Sequence, residues 1–97
     1  MRRSRKSEYR RGVNAGMLHS FFSVTYLSIA ENVEARKAIA IKSAGLAVKT
    51  WKTERDGLHS IENAYMRGFD VGMNGWESDE EMNEVSRQAT LSVKVKQ

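Results

Sequence analysis

Apolar positions recur every three or four residues through most of the chain. Between about Ser7 and Ala30, the series Tyr9, Val13, Met17, Phe21, Val24 and Ser28 falls on one face of a helix. The second half of that segment also carries Leu18, Phe22, Tyr26 and Ile29 on a neighbouring face, which predicts burial between two partners. Asn32 can cap a second helix, because its side-chain oxygen accepts from the free amides of the following turn, and this helix is expected to reach about Arg55. Its expected apolar stripe is Ile41, Ala44, Val48 and Trp51, with Lys42, Lys49 and Lys52 mostly turned away. The same stretch supports a rival. "KAIAIK" and "LAVKTWK" flank "SAG" and alternate as a hairpin would, which over about 37–52 would make the chain α+β. Alanine supplies many of the alternating positions and favours helix over strand, so the helix is preferred.

In "TERDGLHS" Asp56 is a candidate cap, and Gly57 a residue free to take unusual backbone angles. Leu58, Ile61, Tyr65, Phe69, Gly72 and Trp76 then recur at helical steps and predict a third helix closed by Asn74 and Gly75. Ser78 is placed to cap a short acidic fourth helix, whose Asp79, Glu80 and Glu81 suit the positive end of the helix dipole. "TLSVKVKQ" closes the sequence as a short strand or a tail. The expected fold is all-α: a single domain over residues 1–97, built as a small bundle of three main helices and a short fourth, with a basic N-terminal arm at 1–7.

Two of these helices repeat a pattern. "YRRGVNAGM" at 9–17 and "YMRGFDVGM" at 65–73 share tyrosine, arginine, two glycines and methionine in register. Glycine inside a helix costs roughly 1 kcal/mol relative to alanine, so Gly12, Gly16, Gly68 and Gly72 require an offsetting gain. Close approach of another backbone or an aromatic ring supplies one, since residues four apart share a face and two missing side chains leave a shallow groove. Helix packing is therefore the first role of these four glycines. Tyr9 and Tyr65 stand one turn before them on the same side.

The composition removes whole classes of chemistry. With 97 residues there is room for one core and no second lobe. The absence of cysteine excludes disulfides, thiolate nucleophiles and cysteine-based zinc sites. No G-x-S-x-G elbow presents a serine to His19 or His59, no P-loop is present, and neither HExxH nor an EF-hand loop accompanies His59 and Glu62. We therefore expect no catalytic, cofactor-binding or metal-ligating set, and no enzyme. "FFSVTYLSIA" is too short and too rich in hydroxyls to span a bilayer, and the basic start runs into Gly, Asn and His rather than an apolar export segment. The expectation is a soluble cytoplasmic protein without a membrane partner.

Charge adds a polarity to this picture. Sixteen Lys and Arg against twelve Asp and Glu leave a net +4. Arg2, Arg3, Arg5, Lys6, Arg10 and Arg11 crowd the start, while the acidic residues cluster near the end between Glu77 and Glu84. The basic cluster can neutralise phosphates, with Tyr9 beside it to stack on a base, so these six cations are the candidates for nucleic-acid contact. The alternative is a protein partner, with aromatic anchors and an arginine rim drawn from Tyr9, Arg10, Arg11, Tyr65, Arg67 and Trp76. In general character, a short basic helical chain without cysteine, proline or a catalytic set resembles the small accessory proteins of bacteriophages and other mobile elements. That resemblance rests on size and style rather than on a motif. It implies a protein that occupies a surface on a larger host machine, as inhibitors of bacterial nucleases and defence complexes do. Stoichiometric occupation of a larger protein is thus the expected function, with a nucleic-acid accessory role as its alternative.

Overall fold

The computed structural model describes residues 3–20, 32–78, 80–85 and 87, and among these every regular element is helical. Helix α1 spans Arg5–His19, α2 spans Val33–Glu54, a single 3-10 turn covers Arg55–Gly57, and α3 spans Ile61–Met73. A short helix α4 occupies 80–85. The stretch 37–52 is helical throughout, which excludes the hairpin. Helix α1 ends at His19 with Ser20 as its C-cap, which corrects the unbroken helix expected over about 7–30; residues 21–30 and the closing strand or tail lie outside the described residues, as do Arg2 and Asp79.

The caps explain the boundaries. Ser4 accepts from the amide of Ser7 while the Ser7 hydroxyl accepts from that of Ser4, both at 3.0 Å. This reciprocal box starts α1 at Arg5, so residues 5–7, expected in a basic arm, belong to the helix. Asn32 caps α2 through the amide of Ala35 at 2.9 Å. Asp56 is not a cap: it lies in the 3-10 turn, and Ser60 takes the role by accepting from Asn63 at 3.0 Å. Gly57 likewise keeps an ordinary backbone conformation, with nothing within 4 Å of where a Cβ would stand. Asn74 closes α3, and Ser78 receives the amide of Glu81 at 3.2 Å to start α4.

Helices α1 and α3 cross at their glycines. A Cβ on Gly12 would strike the carbonyl oxygen of Tyr65 and stand 2.9 Å from the amide nitrogen of Phe69; one on Gly16 would strike the carbonyl of Phe69 and stand 2.9 Å from the nitrogen of Met73. The reverse holds as well. A Cβ on Gly68 would strike the carbonyl of Tyr9, and one on Gly72 that of Val13, 2.9 Å from the nitrogen of Met17. Since Gly12 and Gly16 meet successive turns of α3 in ascending order, the two helices run parallel. The reciprocity makes them a pseudo-two-fold pair.

Helix α2 lies antiparallel against α1, with Thr50 at Tyr9, Ser43 at Asn14 and Ile39 near Met17. Its buried stripe is Ala35, Ile39, Ser43 and Ala47, which corrects the expected one: Ile41 is 76% and Val48 52% exposed. Alanine makes α2 weakly apolar on nearly every side, so periodicity could not orient it, and the face with the smaller side chains seats closest on α1. One core cluster joins Met17, Ala35 and Ile39 beneath Trp76 and the α4 residues Met82 and Val85. The other joins Tyr9, Val13, Ala47, Leu58 and Ala64.

Alanine at Gly12, Gly16, Gly68 or Gly72 must push two backbones apart, so each of these substitutions is expected to destabilise the fold by about 1–3 kcal/mol. Alanine at Gly45, an interior position of α2 with open space around it, should stabilise by roughly 0.5–1 kcal/mol. Urea denaturation of the five variants checks both signs.

Candidate functional site

The two tyrosines of the repeat stand in unlike surroundings. Tyr9 is fully buried. Its ring lies 5.3 Å from that of Trp51, and its hydroxyl donates to Thr50 Oγ1 at 2.7 Å. Burial holds the phenol above its ordinary pKa of 10.0, against the smaller opposing effect of the Thr50 hydrogen bond, so it remains a donor. Tyr9 is therefore a core residue and out of reach of a partner. Tyr65 is half-buried and lines a groove of about 420 Å³ between the start of α1 and the start of α3. Ile61 and Met66 supply the other apolar walls; Arg3, Glu8, Arg11 and Glu62 supply the polar rim.

The groove continues along α3 as an apolar stripe. Tyr65, Met66, Phe69 and Met73 follow one another at helical spacing on the flank of the glycine face. Met66 is 66% and Met73 38% exposed. Phe69 is half-buried and its ring tilts against His19 with centroids 5.0 Å apart. Sequence periodicity puts these rings at the centre of the buried face of α3, but that centre is taken by Ala64, Gly68 and Gly72. The interior goes to the side that lets the backbones touch, and the rings are displaced to its edge.

Charges at the rim are held in place. Glu8 is buried and accepts from Arg11 at 2.8 Å, with Arg3 Nε 3.8 Å away. Arg67 donates two hydrogen bonds to Glu54, at 3.0 and 2.7 Å, tying α3 to the end of α2. These bonds hold the Glu54 carboxyl below its ordinary pKa of 4.5. Trp76 donates from Nε1 to Ser20 Oγ at 2.7 Å, packs on the core and lies under Lys42 Nζ at 5.9 Å. Through these contacts it closes the bundle. Of the six residues expected to bind a protein, the groove brings together Arg11 and Tyr65; Arg10 is exposed on the neighbouring face, and Tyr9, Arg67 and Trp76 are engaged within the fold. Ile61, Met66 and Met73 are the candidate site residues that sequence reasoning missed.

The cations of the N-terminus are partly committed as well. Arg5 donates to the carbonyl of Leu58 at 2.6 Å, while Lys6 and Arg10 are exposed. Lys42 pairs with Glu81, so it does not extend a basic stripe towards Lys49 and Lys52. Arg10 instead borders a shallow hollow of about 300 Å³ between α1 and α2; a second, of about 340 Å³, shares Asn14 and Ala40 with it and is lined by Arg36 and Lys37. Among the described residues no three His, Asp or Glu side chains converge as metal ligands, and no helix is long and apolar enough to cross a membrane.

The Glu54–Arg67 pair gives a pH test. A carboxyl whose folded pKa is depressed stabilises the fold above its unfolded value and loses that contribution as pH falls through the folded one. Glu54→Gln should therefore cost up to about 1 kcal/mol at pH 7, the range of a half-exposed pair. The difference from the parent should vanish in denaturant titrations well below pH 4.5. No protein-family model, curated protein or solved structure matches this chain.

Proposed function

We propose that this protein works without catalysis, by stoichiometric occupation of a larger protein, and that the groove between α1 and α3 is where it does so. The observation that carries this function is the exposed Met66 beside half-buried Tyr65, within a groove rimmed by Arg3 and Arg11. An aromatic with adaptable methionines and arginine at the edge is the composition of a protein interface rather than of a solvated helix face. The resemblance in size and style to mobile-element accessory proteins suggests the partner's kind: a host nuclease or defence complex that the chain inhibits or modulates. Titration of the full chain against a captured partner should saturate at a fixed molar ratio. Tyr65→Ala or Met66→Ala should weaken that complex by at least about tenfold, while Lys49→Ala and Lys52→Ala should leave it nearly unchanged. Turnover of a substrate by substoichiometric protein would overturn this function.

A nucleic-acid role has its own supporting observation: Arg10 borders one hollow, Arg36 and Lys37 border the adjoining one, and neither lining includes a carboxylate, although Lys37 also pairs with Glu34. If phosphates bind there, affinity for a duplex falls steeply with salt, and Gln at these three positions should reduce the log–log slope by about 0.9 per lost phosphate contact. An unchanged slope, or no binding at low salt, removes this alternative.

A further inference from the structure

The two halves of the glycine pair are alike, but α2 covers only one of them. Around α1, Tyr9, Val13 and Met17 are fully buried. Trp51 packs on the Tyr9 ring, Thr50 accepts from its hydroxyl, Ser43 donates to Asn14 Oδ1 at 3.0 Å, and Ala35 and Ile39 close over Met17. At the end of this seat Glu54 of α2 reaches across to Arg67 of α3. The exchange of α1 and α3 that relates Gly12 to Gly68 and Gly16 to Gly72 carries Tyr9 onto Tyr65, Val13 onto Phe69 and Met17 onto Met73. It also carries Arg67 onto Arg11. The groove at Tyr65 and Arg11 is thus the counterpart of the space that Thr50, Trp51 and Glu54 fill on the other side. No described helix fills it, and the Tyr65 hydroxyl makes no hydrogen bond to a described residue.

We propose that this groove and the α3 stripe beyond it are the seat for one α-helix of a partner protein, running antiparallel to α3 as α2 runs to α1. The inference rests on the protein-binding function and supplies the chemistry of the partner. Its helix carries small side chains along the contact, an aromatic ring to lie against Tyr65, a hydroxyl to receive the Tyr65 phenol, and a carboxylate for Arg11. Arg11 gives one N–H donor to Glu8 and keeps others for that carboxylate, with Glu62 the opposing charge on the rim. Asp70, in the place that Asn14 holds on α1, offers an acceptor to a hydroxyl like that of Ser43. Met66, in the place of Arg10, makes this seat more apolar than the one α2 occupies.

The helix α2 is itself a specimen of the required chemistry, so a labelled synthetic peptide of residues 33–54 is the probe. Titrated against the full chain and followed by fluorescence anisotropy, it is expected to saturate at one peptide per chain. Met66→Glu, Met73→Glu or Arg11→Gln in the chain should each weaken binding by at least about tenfold, as should Trp51→Ala in the peptide. Arg11→Gln in the chain and Glu54→Gln in the peptide should be non-additive when combined, because they remove the same contact. Ile41→Glu in the chain, on an exposed face away from the groove, should change nothing, and unchanged thermal midpoints show that the exposed methionine variants fold. Absence of saturable binding overturns the proposal. So does binding insensitive to Met66→Glu and Arg11→Gln, which would mean exchange with the chain's own α2. Sedimentation showing a dimer that Met66→Glu dissociates would assign the seat to a second copy instead, and also overturns it. None of these failures touches the stoichiometric function, which is read from the partner titration and not from the peptide.

Discussion

The backbone contact between α1 and α3 is the constraint on which the remaining structure depends. Four glycines let two helices meet carbonyl against Cα, where any Cβ would collide with the facing main chain. Each glycine forgoes roughly 1 kcal/mol of helix propensity. The return is a longer line of dispersion contact and close approach of Cα–H groups to carbonyl oxygens, neither of which is available at ordinary interhelical distances. Because the contact is made by backbone, it fixes axial register as well as distance. Tyr9 and Tyr65 are consequently held at equivalent points on opposite flanks of the pair.

A symmetric pair with a third helix cannot remain symmetric. Helix α2 chooses the α1 flank through directional bonds as well as apolar contact: Tyr9 to Thr50, Ser43 to Asn14, and Arg67 to Glu54. Arg5 adds a tether from the start of α1 to the Leu58 carbonyl, just before α3. Helix α4 then closes the far end with Met82 and Val85, secured by Lys42 and Glu81. No described buried side-chain polar atom is left without a partner, so the covered flank is satisfied in both its apolar and polar requirements. The α3 flank repeats the tyrosine, arginine, glycines and methionine and receives no helix from the described residues. Among the described residues one main helix packs on the pair, on the α1 flank, and Met66 and Met73 of the other flank stay exposed.

Much of this architecture could be read before any coordinates. The helical class, the Asn32 cap, the Ser78 cap and the end of α3 at Asn74 follow from local rules, since capping oxygens and chain breaks act within a turn of their own position. The limits of α2 were equally legible. Its orientation was not, because Ile41 and Val48 make as good a stripe as Ile39 and Ala47, and the outcome depended on which side chains were small enough to approach α1. The groove was only half legible. Tyr65 and Arg11 stood out through the repeat, but Tyr9 and Arg67 stood out equally, and nothing local says which copy would be covered.

What the sequence by itself determined is therefore the helical class, the limits of α2, the end of α3 and the fact that two helices carry interchangeable glycine faces. What the tertiary structure alone decided is that these faces meet each other, in parallel, and that α2 seats on α1. The physical reason is the range of the interactions. Propensity and capping are settled among residues a few positions apart, whereas burial is allotted among helices competing for one core, and there a missing Cβ outweighs an aromatic ring. Tyr9 became core and Tyr65 the wall of a groove, although the sequence around each offers the same tyrosine, arginine, glycines and methionine.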